Sequence, residues 1–266
     1  MRFHGLLGLL ALGGVLQVLC GCAQDEVVLP SEPSVGPTSC ATDLELFRST
    51  PAAKAPAGAV VDPRDGSSYP FLQAAGRQWF MTNLRFRPEL GSTWCPGGSD
   101  EGCSLGGRLY DWWAAFQQPA SCKDGDCPAW NSPPGRGVCP DGWRIPSQAD
   151  FDALIASLGG DEQAGTRLKG RSGWLAGPTG DAGSGSDDVG FDAIATGSHA
   201  PSDDRSPGGC SGLGSSSVFW TSDRRASLFE PTLSIWLQLS SGTPGTAYYS
   251  VSALAGASIR CLRDIP

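Results

Sequence analysis

Histidine is almost missing from this sequence, since His4 and His199 are the only two among 266 residues. Zinc hydrolases commonly hold their metal with several histidines, so a multi-histidine zinc site is excluded. A Ser–His–Asp hydrolase would have to use His199, because His4 lies in an N-terminal segment that we expect to be removed. His199 lies among Gly, Ser and Pro, without a nucleophile-elbow motif nearby. We therefore predict no catalytic residues and no enzyme activity, and we expect His199 to be a solvated loop residue.

Basic residues are also few. Lysine occurs only three times, and 19 Lys and Arg stand against 27 Asp and Glu, a formal net charge of −8. Phosphate backbones are bound by clustered basic side chains, which this chain lacks, so we predict no nucleic-acid partner. The 37 Gly and 21 Pro exclude a long-helix or coiled-coil protein, which would be rich in Ala, Glu, Lys and Leu.

Long apolar runs are limited to one, residues 5–19, which is too short to span a bilayer comfortably. The run follows a short basic start and fits the apolar region of a signal peptide. It ends in Leu19-Cys20-Gly21-Cys22, which looks like a bacterial lipobox with Cys22 as the acylated residue. We predict a lipoprotein signal peptide over residues 1–21, with an ordinary secretory signal as the alternative. Acyl chains on Cys22 would hold the exported protein to a membrane, and Ala23 favours the outer membrane or cell surface.

The rest of the chain divides into two regions of different composition. Residues 22–57 are rich in Pro, Ser and Ala, which predicts a stalk. Residues 58–266 carry short elements separated by Gly, Pro and Asp, and we predict that they form one domain. The ten cysteines of the sequence indicate an oxidising compartment, where disulfides persist.

Two segments have the spacing of a helix with one buried face. The apolar residues of these segments are Leu109, Trp112, Trp113 and Phe116, and then Phe151, Leu154, Ile155 and Leu158. Ser147 with Asp150 predicts a capping box that begins the second helix, and Gly159-Gly160 predicts its end. We therefore predict two helices.

Strand patterns are strongest near the C-terminus, where apolar residues alternate with polar ones over residues 233–240. The shorter strand candidates are residues 78–82, 218–222, 248–251 and 258–262. Helices in the first half and strands after residue 215 predict an α+β domain. Residues 177–214, rich in Gly, Ser and Asp, are too long for a plain connection and predict a functional loop region or partial disorder.

Several segments resemble, in order, the motifs of one family. Residues 77–84 are similar to its W-M-x-E-N-L segment, and residues 144–151 to an R-L-P-[ST]-x-x-[ED]-[WF] helix start. The other matching segments are residues 94–95, 107–112, 139–147, 165–169, 172–174, 190–191, 219–222 and 259–264. Together they resemble the Fibrobacter succinogenes major paralogous domain. The chain departs from that pattern at Thr82, where an acidic residue is usual, at Ile145, where Leu is usual, and in the insert over residues 121–136.

The resemblance implies a fold and a surface location more than an activity, because the family has no established common reaction. The implied fold is C-type-lectin-like and related to formylglycine-generating-enzyme-like domains. We therefore expect an α+β domain with two helices, short antiparallel strands, long Gly-rich loops and disulfide staples.

Eight cysteines remain after Cys20 is removed and Cys22 is acylated. Cys95 with Cys103, and Cys122 with Cys127, are near enough in sequence to close short loops. Cys139 and Cys261 lie in motifs of the resemblance, and we predict a long-range disulfide between them, which leaves Cys40 for Cys210. The alternative is a thiol or copper site like that of formylglycine-generating oxidases.

Acidic residues cluster in the Gly-rich region, where loops could supply the oxygens that Ca²⁺ prefers. The candidate ligands are Asp181, Asp187, Asp188, Asp203 and Asp204. The simpler alternative is a solvated acidic loop, because no calcium motif of sugar-binding lectins is present. We predict no other cofactor.

Trp94 and Trp130 are the candidate ligand-binding residues, because they lie in polar loops and an exposed indole can stack on a sugar ring. The alternative is that each packs as a small local core. We therefore predict a lipid-anchored cell-surface binding or adhesion module that takes a glycan or an envelope protein. An enzyme on a formylglycine-generating-like fold and a purely structural envelope component are the other hypotheses.

Overall fold

A computed structural model describes residues 44–47, 54–118, 136–181, 183–202, 208–225 and 233–265. All of these residues belong to one compact unit, Gly36–Pro266. The α+β class is as predicted, with β-sheets dominating. Within these ranges, no helix is both long enough and apolar enough to cross a bilayer.

The described residues form four α-helices rather than the two predicted. They are α1 (Asp100–Gly106), α2 (Trp112–Phe116), α3 (Gln148–Ser157) and α4 (Asp161–Leu168). The predicted capping box begins α3, because the Ser147 hydroxyl accepts from the Asp150 backbone N–H and the Asp150 carboxylate accepts from the Ser147 N–H. The helices α1 and α4 were missed because both are short and lack an apolar repeat.

The predicted first helix begins later than its apolar spacing indicated. Leu109 lies in a strand, not in the helix, and α2 starts only after Asp111, whose carboxylate accepts from the Ala114 backbone N–H. The N-cap therefore separates a buried strand residue from a buried helix face. Trp112, Trp113 and Phe116 are buried in α2 as predicted.

The two ends of the domain lie in one four-stranded antiparallel sheet with the order β1-β2-β3-β12. Its strands are β1 (Gly58–Val61), β2 (Ser68–Ala74), β3 (Arg77–Phe80) and β12 (Leu262–Asp264). The strands β1 and β2 were not predicted, so strands are not confined to the region after residue 215.

A larger sheet has the order β10-β9-β8-β11-β5-β4, with β6 pairing to both β7 and β8. Its strands are β4 (Thr93–Trp94), β5 (Leu109–Tyr110), β6 (Thr196–Ala200), β7 (Gly209–Leu213), β8 (Ser216–Arg224), β9 (Leu233–Ser240), β10 (Thr246–Ser252) and β11 (Ala257–Ser258). The prediction for residues 233–240 is confirmed. Short antiparallel strands account for only part of the sheet, because β8 has nine residues and pairs in parallel with β6 and β11.

The predicted strand over residues 258–262 is instead divided between the two sheets. Ser258 ends β11 in the large sheet, and Leu262 begins β12 in the small one. The crossing is held against the end of β3 and the segment after it, because the N–H groups of Phe80 and Leu84 donate to the carbonyls of Cys261 and Ile259. Arg260 is therefore placed at the point where the chain passes between the sheets.

The Gly-rich region from residue 177 to 214 is packed and partly regular over its described residues. It contains all of β6 and β7, and Phe191, Ala193 and Ala195 are completely buried. Phe191 packs edge-on against Phe219 and Trp79 in one of two core clusters. This region is therefore part of the core and not only a loop.

Two predicted disulfides are present, Cys95–Cys103 and Cys139–Cys261. The second joins the segment before α3 to the segment before β12, and its two cysteines are fully buried. Cys210 is also disulfide-bonded. Cys40, its predicted partner, and the predicted Cys122–Cys127 pair lie outside the described residues.

Candidate functional site

Two of the motif segments, and residues next to others, meet around one small cavity of about 60 Å³, which we call the motif cavity. Its lining residues are Met81, Thr82, Asn83, Leu105, Gly106, Asp192, Ile194 and Arg260. Residues 81–83 follow β3, Asp192 follows the Gly190-Phe191 motif, and Arg260 lies in the crossing between β11 and β12. The cavity thus brings together polar side chains that are far apart in the sequence.

Arg260 is a buried cation, with only 1% of its surface exposed. Its Nε and Nη2 donate to Asn83 Oδ1 at 3.1 and 2.7 Å, and its Nη1 donates to the carbonyls of Phe80 and Phe191. The guanidinium also lies 4.3 Å from the centre of the Phe191 ring. Among the described residues no carboxylate lies within 4.0 Å of it. Burial lowers the pKa of Arg260 to about 9, so it carries its charge at neutral pH.

Asn83 joins Arg260 to the interior and has no remaining hydrogen-bonding capacity. Its Nδ2 donates to the Gly106 carbonyl at 2.8 Å and to Ser258 Oγ at 3.2 Å, while Oδ1 accepts both bonds from Arg260. Ser258 Oγ is in turn 3.1 Å from Thr196 Oγ1. An amide has two donors and two acceptor positions, so Asn83 is fully used and orients Arg260.

Asp192 provides the acidic group of the motif cavity. Its backbone is in the left-handed region, at φ 47°, and its N–H donates to Asp187 Oδ1 at 2.8 Å. Burial, and then the charge of Asp187, raise the pKa of Asp192 to about 6. No hydrogen bond from a described residue reaches the Asp192 carboxylate, so its oxygens are free to accept.

Thr82 adds a hydroxyl with unused capacity. Its Oγ1 is buried and has no hydrogen-bond partner among the described residues. A buried polar group without a partner costs about 1–3 kcal/mol, so a group that pairs with it gains a corresponding advantage. Thr82 therefore joins Asp192 and Arg260 as the third polar residue with unusual electrostatics or hydrogen bonding in the lining of the cavity.

Trp94 does not line the motif cavity but stacks on His199, with ring centres 3.9 Å apart and planes 8° from parallel. His199 lies in β6, where its backbone pairs with Gly256 and Cys210. The expectation of a solvated loop histidine is therefore wrong, because Trp94 covers the imidazole and the half-buried ring sits on a sheet. Trp94 is also half-buried, so its role as a ligand platform remains a prediction.

Burial of His199 has a consequence that can be measured by NMR. Desolvation lowers the pKa of His199 below its ordinary value of 6.5. In the unfolded chain His199 binds its proton at higher pH than in the folded chain, so its contribution to stability is complete above pH 6.5 and is lost as pH falls toward the folded pKa.

We expect the imidazole Hε1 resonance of the compact unit over residues 36–266, in which His199 is the only histidine, to titrate below pH 6.5. The unfolding free energy of the wild type should fall relative to that of His199→Asn as pH drops below 6.5. Asp192 has the opposite effect, because its raised pKa adds stability as the carboxylate binds its proton. Comparison with Asp192→Asn separates the contribution of Asp192 from that of His199. A titration midpoint above 6.5 would contradict the burial of this ring.

The three predicted calcium ligands that the structure describes are not gathered into a metal site. Asp187 is fully buried beside Asp192, Asp188 pairs with Arg167 at 3.6 Å, and Asp181 accepts from the Thr179 hydroxyl. Across the described ranges, no group of three or more His, Cys, Asp and Glu is placed to hold a metal ion. Asp203 and Asp204 lie outside the described residues, as do Trp130 and Cys22.

An open cleft of about 270 Å³ lies between the loop after β3 and the end of α2. Its lining residues are Phe86, Pro88, Glu89, Leu90 and Gln117. Glu89 and Gln117, its two polar side chains, are exposed and can be satisfied by solvent. We therefore consider the motif cavity, where the polar groups are enclosed, the stronger candidate site.

Sequence reasoning missed Thr82, Asp192 and Arg260 as site residues. Thr82 was noted only as a departure from the W-M-x-E-N-L pattern, and Arg260 only as part of a motif. The available signal was Arg260 itself, a charged residue between Ile259 and Cys261 in a segment that otherwise has the character of a core strand. A buried arginine needs acceptors around it, and these come from segments that the sequence does not place together.

Comparison with models of protein families identifies a family for this chain. The sequence model of the Fibrobacter succinogenes major domain matches residues 62–263. Neither the curated proteins nor the solved structures contain a significant match to the chain.

Proposed function

The chain belongs to the Fibrobacter succinogenes major domain family, and we propose that its domain is a non-catalytic binding module of a lipid-anchored surface protein. The observation that carries the proposal is the motif cavity, where the Thr82 hydroxyl and Asp192 carboxylate have unused capacity beside the buried Arg260. Enclosed polar groups held by rigid elements are typical of small ligand sites.

The geometry of the cavity supports binding more than chemistry. Catalysis by two carboxylates needs both groups to face one substrate, whereas Asp187 holds the backbone of Asp192 and does not line the cavity. The oxidase alternative needs free thiols, and every described cysteine is in a disulfide. The enzyme hypothesis is therefore the less favoured one.

We propose the C-type-lectin-like arrangement as the finer description of the fold. Its support is the small sheet, in which β1 near the start of the domain and β12 near its end are separated only by β2 and β3. The disulfide that fixes β12 to the segment before α3 fits the same arrangement. The resemblance of the motif order supplies the rest of the argument.

The anchor and the location come from the N-terminal sequence alone. We propose acylation at Cys22, a stalk over residues 22–57, and a position at the outer membrane or cell surface. Leu44–Phe47 packs in the compact unit, with Phe47 buried, so the part of the stalk before these residues would be the spacer that places the domain away from the lipid, where a glycan or an envelope protein is accessible. Labelling with a radioactive fatty acid, and its loss in Cys22→Ser, tests the anchor.

A glycan array and an envelope-protein pull-down with the compact unit over residues 36–266 test the binding function. We expect a reproducible ligand in one of the two, and binding should weaken about tenfold in Asp192→Asn because the charged acceptor is lost. Asp181→Asn is the matched control, since Asp181 is exposed and outside the cavity.

Repeating both assays with Ca²⁺ and with a chelator tests the calcium hypothesis. Equal binding in the two conditions argues against a calcium-dependent site. Silence of the folded domain in both assays contradicts the binding function and favours a purely structural envelope component.

A further inference from the structure

We propose that the outer face of the β9–β10 hairpin binds a neutral polysaccharide. From Ile235 onward, β9 alternates between buried and half-buried side chains, and the half-buried ones share one face. The register places Ala247 opposite Gln238 and Tyr249 opposite Trp236, so the side chains of β10 at these positions lie on that same face. The residues of this face are Trp236, Gln238, Ser240, Ala247 and Tyr249, which we call the aromatic strip.

The two aromatic residues of the strip present carbon to solvent. Tyr249 has 49% of its surface exposed, more than any other aromatic residue in the described ranges. Trp236 is half-buried and packs on Trp220, with ring centres 5.9 Å apart. Its Nε1 is buried, so any part of the indole that faces solvent is carbon. The exposed surface of both rings is therefore suited to an apolar contact.

Polar groups with unused hydrogen-bonding capacity lie beside the rings. Gln238 Nε2 donates to Ser240 Oγ at 3.2 Å, and the Gln238 carbonyl oxygen accepts no hydrogen bond from the described residues. The Tyr249 hydroxyl also has no partner in these ranges. Directly opposite residues have Cβ atoms about 4.5–5.5 Å apart, and Gln238 is two residues, about 7 Å, along β9 from Trp236. Rings and polar groups are thus within the span of a short oligosaccharide.

The hairpin holds the strip in place before a ligand binds. Seven consecutive residue pairs join β9 to β10 without a shift in register, from Thr246 with Leu239 to Ser252 with Leu233. On the opposite face, Leu237 and Leu239 are completely buried in the core. The backbone under the strip is therefore fixed, which lowers the entropy cost of binding.

The chemistry of the strip matches a neutral polysaccharide. Sugar rings have apolar C–H faces that pack on aromatic rings, and their hydroxyls both donate and accept hydrogen bonds. None of the five side chains is charged, whereas the chain has a formal net charge of −8. An anionic polymer would be repelled by this charge and would meet no cation on the strip.

Protein occupants fit the strip less well. A second copy of the chain would bring the same negative charge. A stable protein interface takes roughly 20–30 residues from each partner, many more than the five of the strip. A polysaccharide needs only a few sugar units in contact with the two rings and the amide.

The strip shares no residue with the motif cavity. The inference therefore goes beyond the proposed function, which depends on that cavity, and adds a second surface with its own ligand class. The two can be tested separately, because Tyr249 belongs only to the strip and Asp192 only to the cavity.

Affinity electrophoresis of the compact unit over residues 36–266 tests the proposal. Native gels would contain a neutral polymer (mixed-linkage β-glucan, starch or galactomannan) or an anionic one (alginate or polygalacturonate). We expect at least one neutral polymer to slow the migration of the protein, and neither anionic polymer to do so. Retardation by the anionic polymers alone, or by none of the five, overturns the proposal.

Variants of Tyr249 tie the binding to the strip. Tyr249→Ala removes the exposed ring and should raise the dissociation constant for the polysaccharide about tenfold, whereas Tyr249→Phe keeps the ring and should stay within about threefold of the wild type. Leu175→Ala is the matched control, because Leu175 is 44% exposed and lies outside the strip. Unchanged binding in Tyr249→Ala, or an equal loss in Leu175→Ala, overturns the proposal.

NMR with an oligosaccharide of the polymer that binds locates the contact. The backbone amide resonances of Trp236, Gln238 and Tyr249 should shift, and those of Thr82 and Asp192 should not. Shifts at Thr82 and Asp192 instead would assign the sugar to the motif cavity and overturn this inference while supporting the proposed function.

The combined outcomes distinguish the two proposals. Polysaccharide binding that is lost in Tyr249→Ala and kept in Asp192→Asn supports the strip alone. A ligand from the array or the pull-down that depends on Asp192, without retardation by any polysaccharide, supports the proposed function and overturns the strip. A pulled-down protein that is lost in Tyr249→Ala would make the strip a protein interface, which also overturns the proposal. Silence in all assays contradicts both.

Discussion

Removal of the Cys139–Cys261 disulfide, in a Cys139→Ser, Cys261→Ser double variant, is expected to lower the free energy of unfolding by about 5 kcal/mol. The bridge spans 122 residues, so it removes much of the conformational entropy that the unfolded chain would otherwise have. Both cysteines are fully buried, and two hydroxyls in their place add a polar burial cost. Denaturant titration of the wild type and of the double variant, under non-oxidising and oxidising conditions, measures the difference in the free energy of unfolding.

The matched control is the Cys95→Ser, Cys103→Ser double variant. That disulfide spans only 8 residues, for which the same chain-entropy relation gives a loss of about 2.5 kcal/mol. The ratio of the two losses tests the explanation better than either value alone. Equal losses, or a larger loss from the short bridge, would show that loop length does not set the stabilisation.

Replacement of Asn83 by Ala is expected to lower the free energy of unfolding by about 3–5 kcal/mol, because it removes two hydrogen bonds to a buried charge at about 1.5–3 kcal/mol each. The substitution removes both acceptor bonds from Arg260 and leaves the Gly106 carbonyl without its donor. Since Asn83 and Arg260 are almost fully buried, water cannot readily replace these bonds. Chemical denaturation followed by tryptophan fluorescence measures the loss.

Two further variants define the source of that effect. Asn83→Asp returns an acceptor to Arg260 but still loses the amide donors, so its loss should be smaller than that of Asn83→Ala. Gln73→Ala changes an exposed side chain in β2 and should lie within about 0.5 kcal/mol of the wild type. A loss below about 1 kcal/mol for Asn83→Ala would mean that Arg260 is solvated when its partner is removed.

Local patterns were sufficient to predict the elements whose boundaries are set by residues of the same segment. The helix α3 carries its start in Ser147 and Asp150 and its apolar face in four residues, so the sequence predicted it closely. Strand β9 was predicted because apolar side chains alternate along a half-buried strand. In both cases one short segment contains all the information that its structure needs.

The predictions that were wrong concern residues whose positions depend on distant parts of the chain. His199 was expected in solvent because Gly, Ser and Pro surround it, whereas pairing with Gly256 and stacking on Trp94 place it in β6. The segment around Arg260 has the composition of one strand, yet each half pairs in a different sheet. No local pattern encodes such a division, because it is decided by which strands lie on either side.

The candidate site was beyond sequence reasoning for the same reason. Predicted ligand residues were chosen as exposed aromatic or acidic side chains in loops. The motif cavity instead uses Thr82, Asp192 and Arg260, which are enclosed and come from three separate segments. The resemblance identified those segments as important but could not show that they meet.

The four-stranded sheet also determines how this domain would respond to tension. A pull on the N-terminal segment first meets the 3-10 turn Leu44–Phe47, where Phe47 is buried, and then β1, which is the outermost strand of the sheet and pairs with β2. The Cys139–Cys261 bond closes a covalent loop of 122 residues, and at about 3.4 Å per residue this withholds about 410 Å of chain from extension. In a stretched molecule the strands before Cys139 would therefore separate, while the region around Asp192 stays inside the loop that the Cys139–Cys261 disulfide closes.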